Sequence, residues 1–235
     1  MSQHPQNMTP DLVKGVIHLL AHGDSEEWKK VYRQIEFQEV VRKVGSDCIT
    51  MDFEYSERVK LYTYVNNRVL GKAPIDYLEF GVANGSSILS WLEINKHEDS
   101  RFYGFDSFEG LPEDWIHEKG SYSTNGILPE TSDDRVEFVK GLFQDTVDDF
   151  SLKFTTQNRL VLHMDADLYS STLYVLMNMG RHIRPGTVVL FDEFTSRSYT
   201  DEFAALQDYC TACYREYSIV ATRSDFVKLA VEITK

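Results

Sequence analysis

From Asp76 onward the chain alternates short, dense apolar runs with stretches of helical period, and no other feature constrains its fold as strongly. The alternation predicts a mostly parallel sheet whose strands are joined by crossover helices. The strands read as "DYLEFGV", "RFYGFD", "RVEFVKG", "RLVLHMDAD" and "TVVLFDEF". A helix beginning near Asp201 follows, and then "YSIVATR" and "FVKLAVEI", close enough together to form a terminal antiparallel pair. With 42% apolar and 13% aromatic residues over 235 positions, the chain can bury a core for one compact unit.

Residues 1–71 read instead as a helical extension packed on a sheet-bearing region, 72–235. Thr9 and Pro10 cap a segment carrying Leu12, Val16 and Leu19 that Gly23 ends. Ser25, Glu26 and Glu27 open a second helix with Trp28, Val31, Tyr32 and Ile35 on one face, stopped by "GSD" from Gly45. A third runs from about Ser56 to Leu70 and ends at Gly71. Exposed apolar faces on such helices need cover, so a homodimer is expected.

The formal charge of −13 excludes a nucleic-acid partner, because affinity for phosphate backbones comes from lysine and arginine. No stretch has the length or pattern of an export signal or a bilayer span, so a cytoplasmic location and no membrane partner are expected. The three cysteines are too few for a disulfide scaffold. Cys210 and Cys213 share the stripe of a helix with Phe203 and Leu206, which makes them small core residues rather than a metal pair.

One connection is long. "SFEGLPEDWIHEKGSYSTNGILPETSDD", rich in glycine, proline and serine, separates the second and third strands, and connections of this kind act as lids or are disordered. A cover over the carboxyl edge of the sheet is the preferred reading, with Trp115 and Tyr122 as candidate contacts.

"IDYLEFGVANGSSILSWL" passes from strand through a glycine turn into a helix. A dinucleotide fingerprint would need G-x-G-x-x-G, and here Val82, Ala83 and Asn84 stand between Gly81 and Gly85, so pyrophosphate and a dehydrogenase are disfavoured. A ligand without phosphates suits the turn better, its carboxylate at the helix N-terminus near Ser86 and its ammonium at Glu79. S-adenosylmethionine is such a ligand. Asp106, ending the second strand, stands at the distance where nucleoside-binding α/β folds place an acid for ribose hydroxyls.

"HMDADLYSST" and "VLFDEF" put Asp165, Asp167, Asp192 and Glu193 at the carboxyl ends of neighbouring strands, with no local lysine to neutralise them. Crowded carboxylates need a shared proton or cation. A divalent ion such as magnesium answers that need, with Asp165, Asp192 and Glu193 as ligands. His163 shares strand parity with Asp165 but reads as a satisfied core residue. Ser170 or Ser171 is expected to cap the following helix.

The motif "LEFGVANGSS" resembles the first motif of class I S-adenosylmethionine-dependent methyltransferases. "FDSFEGLP", "GLFQDT", "HMDADLYSST", "RPGTVVLFDEF" and "DEFAALQDYC", in that order, resemble the macrocin O-methyltransferase family. The resemblance implies a Rossmann-like class I methyltransferase fold, seven-stranded with an antiparallel C-terminal strand. It implies donor contacts from Glu79, Gly81, Asn84, Ser86, Asp106, Ser107 and Asp165, with adenine against Phe143 and Gln144. It also implies metal-dependent methylation of a sugar, polyol or natural-product hydroxyl. Catechol O-methyltransferase, a more distant likeness, places a basic lysine where this chain has Leu168, which leaves Asp167 or Asp165 as the base. A metal-independent N-methyltransferase and a non-catalytic donor-binding protein are the alternatives.

Overall fold

The computed structural model describes residues 23–235. The helix expected over residues 9–23 lies almost wholly outside them. Helix α1 (Ser25–Arg42) starts because Asp24 accepts the amides of Glu26 and Glu27, both at 2.9 Å, while the Glu27 carboxylate accepts the Asp24 amide at 3.2 Å. This reciprocal cap satisfies donors that a helix start otherwise leaves open. The expected apolar stripe of α1 is not its buried face: Trp28, Tyr32 and Ile35 are exposed, and Phe37 with Val40 and Val41 packs on the core.

Strand β1 (Ile49–Met51) and a 3-10 turn (Tyr55–Glu57) lead into α2 (Val59–Tyr64), which continues as a π-helical turn over Val65–Val69. Then come β2 (Ile75–Phe80), α3 (Ser86–Ile94), β3 (Arg101–Asp106), β4 (Val136–Lys140), α4 (Phe143–Lys153), β5 (Arg159–Met164), α5 (Tyr169–Met179), β6 (Val188–Phe191), α6 (Glu202–Ala212), β7 (Tyr217–Arg223) and β8 (Leu229–Ile233). The sheet order is β1-β7-β8-β6-β5-β2-β3-β4. It has eight strands where seven were expected, β1 adding a short parallel edge beside β7. β8 alone runs against its neighbours, β6 and β7.

All six residues of β2 are buried, because helices cover both faces of a central parallel strand. Its alternate side chains divide between two cores. Leu78 and Phe80 join Phe37, Val147, Leu176 and Phe203 on one face; Tyr77 joins Tyr62, Ile88 and Trp91 on the other. Trp91, fully buried, stacks on Tyr62 at 5.6 Å between ring centres, so truncating it would cost about 3 to 5 kcal/mol. This packing brings the carboxyl ends of β2, β3, β5 and β6 to one edge. No helix among the described residues is long and apolar enough to cross a membrane.

Candidate active site

The turn after β2 is fixed by close approach. Gly81 has φ +96°, and a Cβ there would stand 1.8 Å from the Asp165 carbonyl oxygen. Only glycine lets the end of β2 lie this near the end of β5. Gly85, at φ +81°, precedes α3, and Asn84 Oδ1 accepts the Ser86 amide at 3.1 Å. Asp106 holds the turn from the neighbouring strand: Oδ2 accepts the amides of Val82 at 2.8 Å and Ala83 at 2.7 Å, and Oδ1 accepts that of Phe108 at 2.6 Å.

Above this edge lies a cleft of about 300 Å³. Of the residues that the sequence pointed to, Gly81, Asn84, Ser86, Asp106, Ser107, Phe143, Gln144, Asp165, Asp167 and Glu193 line it. Glu79 and Asp192 do not. Glu79 lies beneath the turn, where its Oε2 accepts from the Tyr77 hydroxyl and faces His163 Nδ1 at 3.4 Å; Oε1 has no partner among the described residues. Strand parity explains the correction: Glu79 points to the same face as Tyr77, into the buried layer and away from the cleft.

Asp192 is the centre of that layer. Oδ2 accepts from Lys228 Nζ and from Arg58 Nη1, each at 2.7 Å, and Oδ1 accepts from Tyr62 at 3.3 Å and lies 3.2 Å from His163 Nε2. The acids are therefore not without a lysine. Lys228 is fully buried, enters at the start of β8, and also donates to the Asp192 carbonyl at 3.0 Å. Burial works against the Asp192 carboxylate, but the hydrogen bond from His163 and the charges of Lys228, His163 and Arg58 outweigh it and hold its pKa well below the usual range. His163 is raised to about 9 by Asp192 and Glu79 against its own burial, and both its ring nitrogens are engaged, Nδ1 with the Tyr77 hydroxyl at 2.6 Å and Nε2 with Asp192, as in a satisfied core residue.

The acids facing the cleft stand differently. Asp165 is pushed well above the usual carboxylate range by burial and by Asp192. Asp167 is raised to about 7 by burial and by Glu193, Asp192 and Asp201, and its backbone sits at φ +60°, a conformation that costs energy without glycine. Glu202, buried at the start of α6, is raised by burial and Asp167 while it accepts the Glu193 amide at 3.0 Å. The cleft side is thus short of positive charge. Ligand atoms of His163, Asp165 and Asp192 lie within 4.8 Å of one another. Both ring nitrogens of His163 are taken up by Tyr77 and Asp192, so the oxygen donors that fit a hard cation are Asp165 and Asp192, with Glu193 on the cleft wall. Glu193 is outside the tight group and accepts from Ser196 Oγ at 2.5 Å.

The long connection, residues 107–135, does cover this edge. Tyr122 lines the cleft, and Pro129 packs 2.7 Å from where a Gly85 Cβ would be. Trp115 does not reach the cleft; its indole donates to Asp201 at 2.8 Å and ties the connection to the start of α6. Neither serine caps α5: Ser170 donates to Glu113 at 2.9 Å, and Ser171 lies on the cleft wall. Sequence reasoning missed Arg58 and Lys228. A lysine inside an apolar strand segment was a usable signal for Lys228, because lysine is almost never fully buried unless paired.

The methyltransferase-domain family matches residues 78–194, the span from β2 through the acids after β6. The chain is an S-adenosylmethionine-dependent methyltransferase. It is 29% identical to the 8-demethyl-8-(2,3-dimethoxy-α-L-rhamnosyl)-tetracenomycin-C 4'-O-methyltransferase of Streptomyces olivaceus, over 89% of this chain and 87% of that one. Among solved structures the methyltransferase is similar in fold to the O-methyltransferase NovP (TM-score 0.58, 21% identity, 76% of this chain and 80% of that one). It is similar also to the calicheamicin methyltransferase CalS11 (TM-score 0.57, 18% identity, 98% and 99%).

Proposed function

We propose that this methyltransferase acts on a hydroxyl of a sugar-bearing natural product, and that a divalent cation held by Asp165 and Asp192, beside Glu193, takes part. The observation that carries the reading is the position of the raised, cleft-facing carboxyl groups of Asp165 and Asp167 directly across from the donor turn. The Streptomyces relative, by its name, is a 4'-O-methyltransferase of a rhamnosyl tetracenomycin, which supports a sugar as acceptor.

The donor, when bound, supplies a methyl carbon already activated by its sulfonium. A bound divalent cation would supply Lewis acidity toward an acceptor oxygen. What this chain's residues do follows from their places. Gly81 clears the floor, Asp106 holds the turn and keeps one lone pair of Oδ1 for a ribose hydroxyl, and the first amides of α3 with Ser86 receive the donor carboxylate. Phe143 and Gln144, at the start of α4, border the adenine. Asp167 takes the acceptor's proton, a role that a carboxyl group raised toward neutrality performs well. Tyr122 and the connection behind it exclude water.

Incubating the enzyme with S-adenosylmethionine and a rhamnosylated tetracenomycin-type acceptor, with mass spectrometry of the products, tests this. One added methyl group on the sugar is expected, with turnover lost on chelation and restored by Mg2+. Methylation confined to amine acceptors, indifferent to chelator, would replace the reading with an N-methyltransferase.

A further inference from the structure

Arg58 stands between two sites that the sequence treats as separate. It lies where the 3-10 turn meets α2, with its side chain largely buried and on the wall of the cleft. Nη1 is 2.7 Å from Asp192 Oδ2 and 3.6 Å from Asp165 Oδ2, so the guanidinium occupies the gap between the two carboxylates proposed as cation ligands. Nη2 donates to the Ser86 hydroxyl at the first turn of α3, where the donor carboxylate is to be received. Tyr55 steadies the group from the outside, its ring 5.4 Å from the guanidinium carbon and its hydroxyl 3.4 Å from Nη1.

These contacts conflict with one another once ligands arrive. A divalent ion between Asp165 and Asp192 and the Arg58 guanidinium cannot share that gap, since both need the same lone pairs and two cations so close repel. Asp192 is not left bare when the arginine withdraws, because Lys228 and His163 remain on it. Arg58 would then keep its bond to Ser86 and the weaker one to Tyr55, and would carry a full charge beside the N-terminus of α3. A carboxylate there is the natural partner, and Arg can take it in a two-pronged fashion.

We propose that Arg58 is a shared counterion that couples the two sites: it neutralises Asp165 and Asp192 when no metal is bound, and cation binding frees it to hold the donor's carboxylate. The inference rests on the proposed cation at Asp165 and Asp192. Coupling of this kind is reciprocal, so each ligand tightens the other.

Calorimetric titration of the full chain with Mg2+ alone, and with S-adenosylhomocysteine in the absence and presence of saturating Mg2+, tests it in the wild type, Arg58→Gln and Arg58→Ala. In the wild type Mg2+ should tighten S-adenosylhomocysteine by about 5-fold or more, the lower end of ordinary coupling. Both variants should bind Mg2+ more tightly than the wild type, and Mg2+ should no longer tighten their S-adenosylhomocysteine. Circular dichroism confirms that the variants fold, and the glutamine variant preserves most of the packing. Wild-type Mg2+ binding with unchanged affinity in both variants would overturn the role of Arg58 and leave the metal reading intact. Absence of Mg2+ binding in all three proteins would overturn the metal reading and this inference with it.

Discussion

Asp76, fully buried, and Asp165, half-buried, stand on adjacent strands of one sheet, at opposite ends of it, and their surroundings could hardly differ more. Asp76, near the amino end of β2, accepts from Arg101 Nε at 2.9 Å and Nη2 at 2.7 Å, from the amides of Gln157 and Asn158 at 2.7 and 3.0 Å, and from the Asn158 side chain at 3.0 Å. Asp165, just beyond the carboxyl end of β5, has a long ion pair with Arg58 at 3.6 Å and accepts no side-chain hydrogen bond among the described residues. A carboxylate with every direction filled locks three segments together. One left short of partners is a place for something the chain does not contain. In the proposed reading the methyltransferase separates these duties along the strand axis, with structure below and chemistry above.

Asp192 sits on the border between the two, and it should show the largest effect. Asp192→Ala leaves Lys228 buried without its partner, so denaturant unfolding should report a loss of about 3 to 5 kcal/mol as well as loss of turnover. Wild-type stability in that variant would mean that Lys228 does not depend on Asp192. Asp76→Asn should come next. It weakens charge-assisted bonds and should cost about 2 to 3 kcal/mol, while the folded variant binds S-adenosylhomocysteine as the wild type does.

The pH dependence sharpens the same contrast. Burial raises the Asp76 carboxyl, but Arg101 and the amides of Asn158 and Gln157 outweigh it, and its pKa is lowered in the folded protein. A lowered folded pKa gives stability that is complete above the unfolded value, about 3.9, and is lost as pH falls through the folded one. The stability gap between the wild type and Asp76→Asn should therefore be constant from neutral pH to about 5 and close below it. A gap that widens in acid would contradict the assignment.

The sheet and the donor turn were legible in the sequence because their signals are local. Strand length, alternation and Gly81 stand within a few residues of the structures they produce. β1 was not legible: "ITM" is too short to carry a period, and it exists as a strand through pairing with β7, more than 160 residues away. The face of α1 was misread for a similar reason. Trp28, Tyr32 and Ile35 have helical spacing, yet only the second half of the helix lies over the core. At the acid edge, the strand-end rule located Asp165, Asp167, Asp192 and Glu193, whereas the cations that complete it, Arg58 and Lys228, come from the residues just before α2 and β8. No spacing rule connects Arg58 to Asp192 across 134 positions. Side-chain facing was the other gap, since Glu79 and Asp192 lie at the right edge but turn into the buried layer.

Asp165→Asn offers the most direct test of the claim that an underpartnered acid beside the donor turn holds a cation. The substitution relieves repulsion with Asp192, so stability should be unchanged or slightly higher. The deciding measurement is Mn2+ binding by electron paramagnetic resonance, paired with S-adenosylhomocysteine binding without metal, in wild type and variant. The wild type should bind one Mn2+, and the variant should lose the ion and retain S-adenosylhomocysteine. Equal Mn2+ binding by the two proteins would contradict the account.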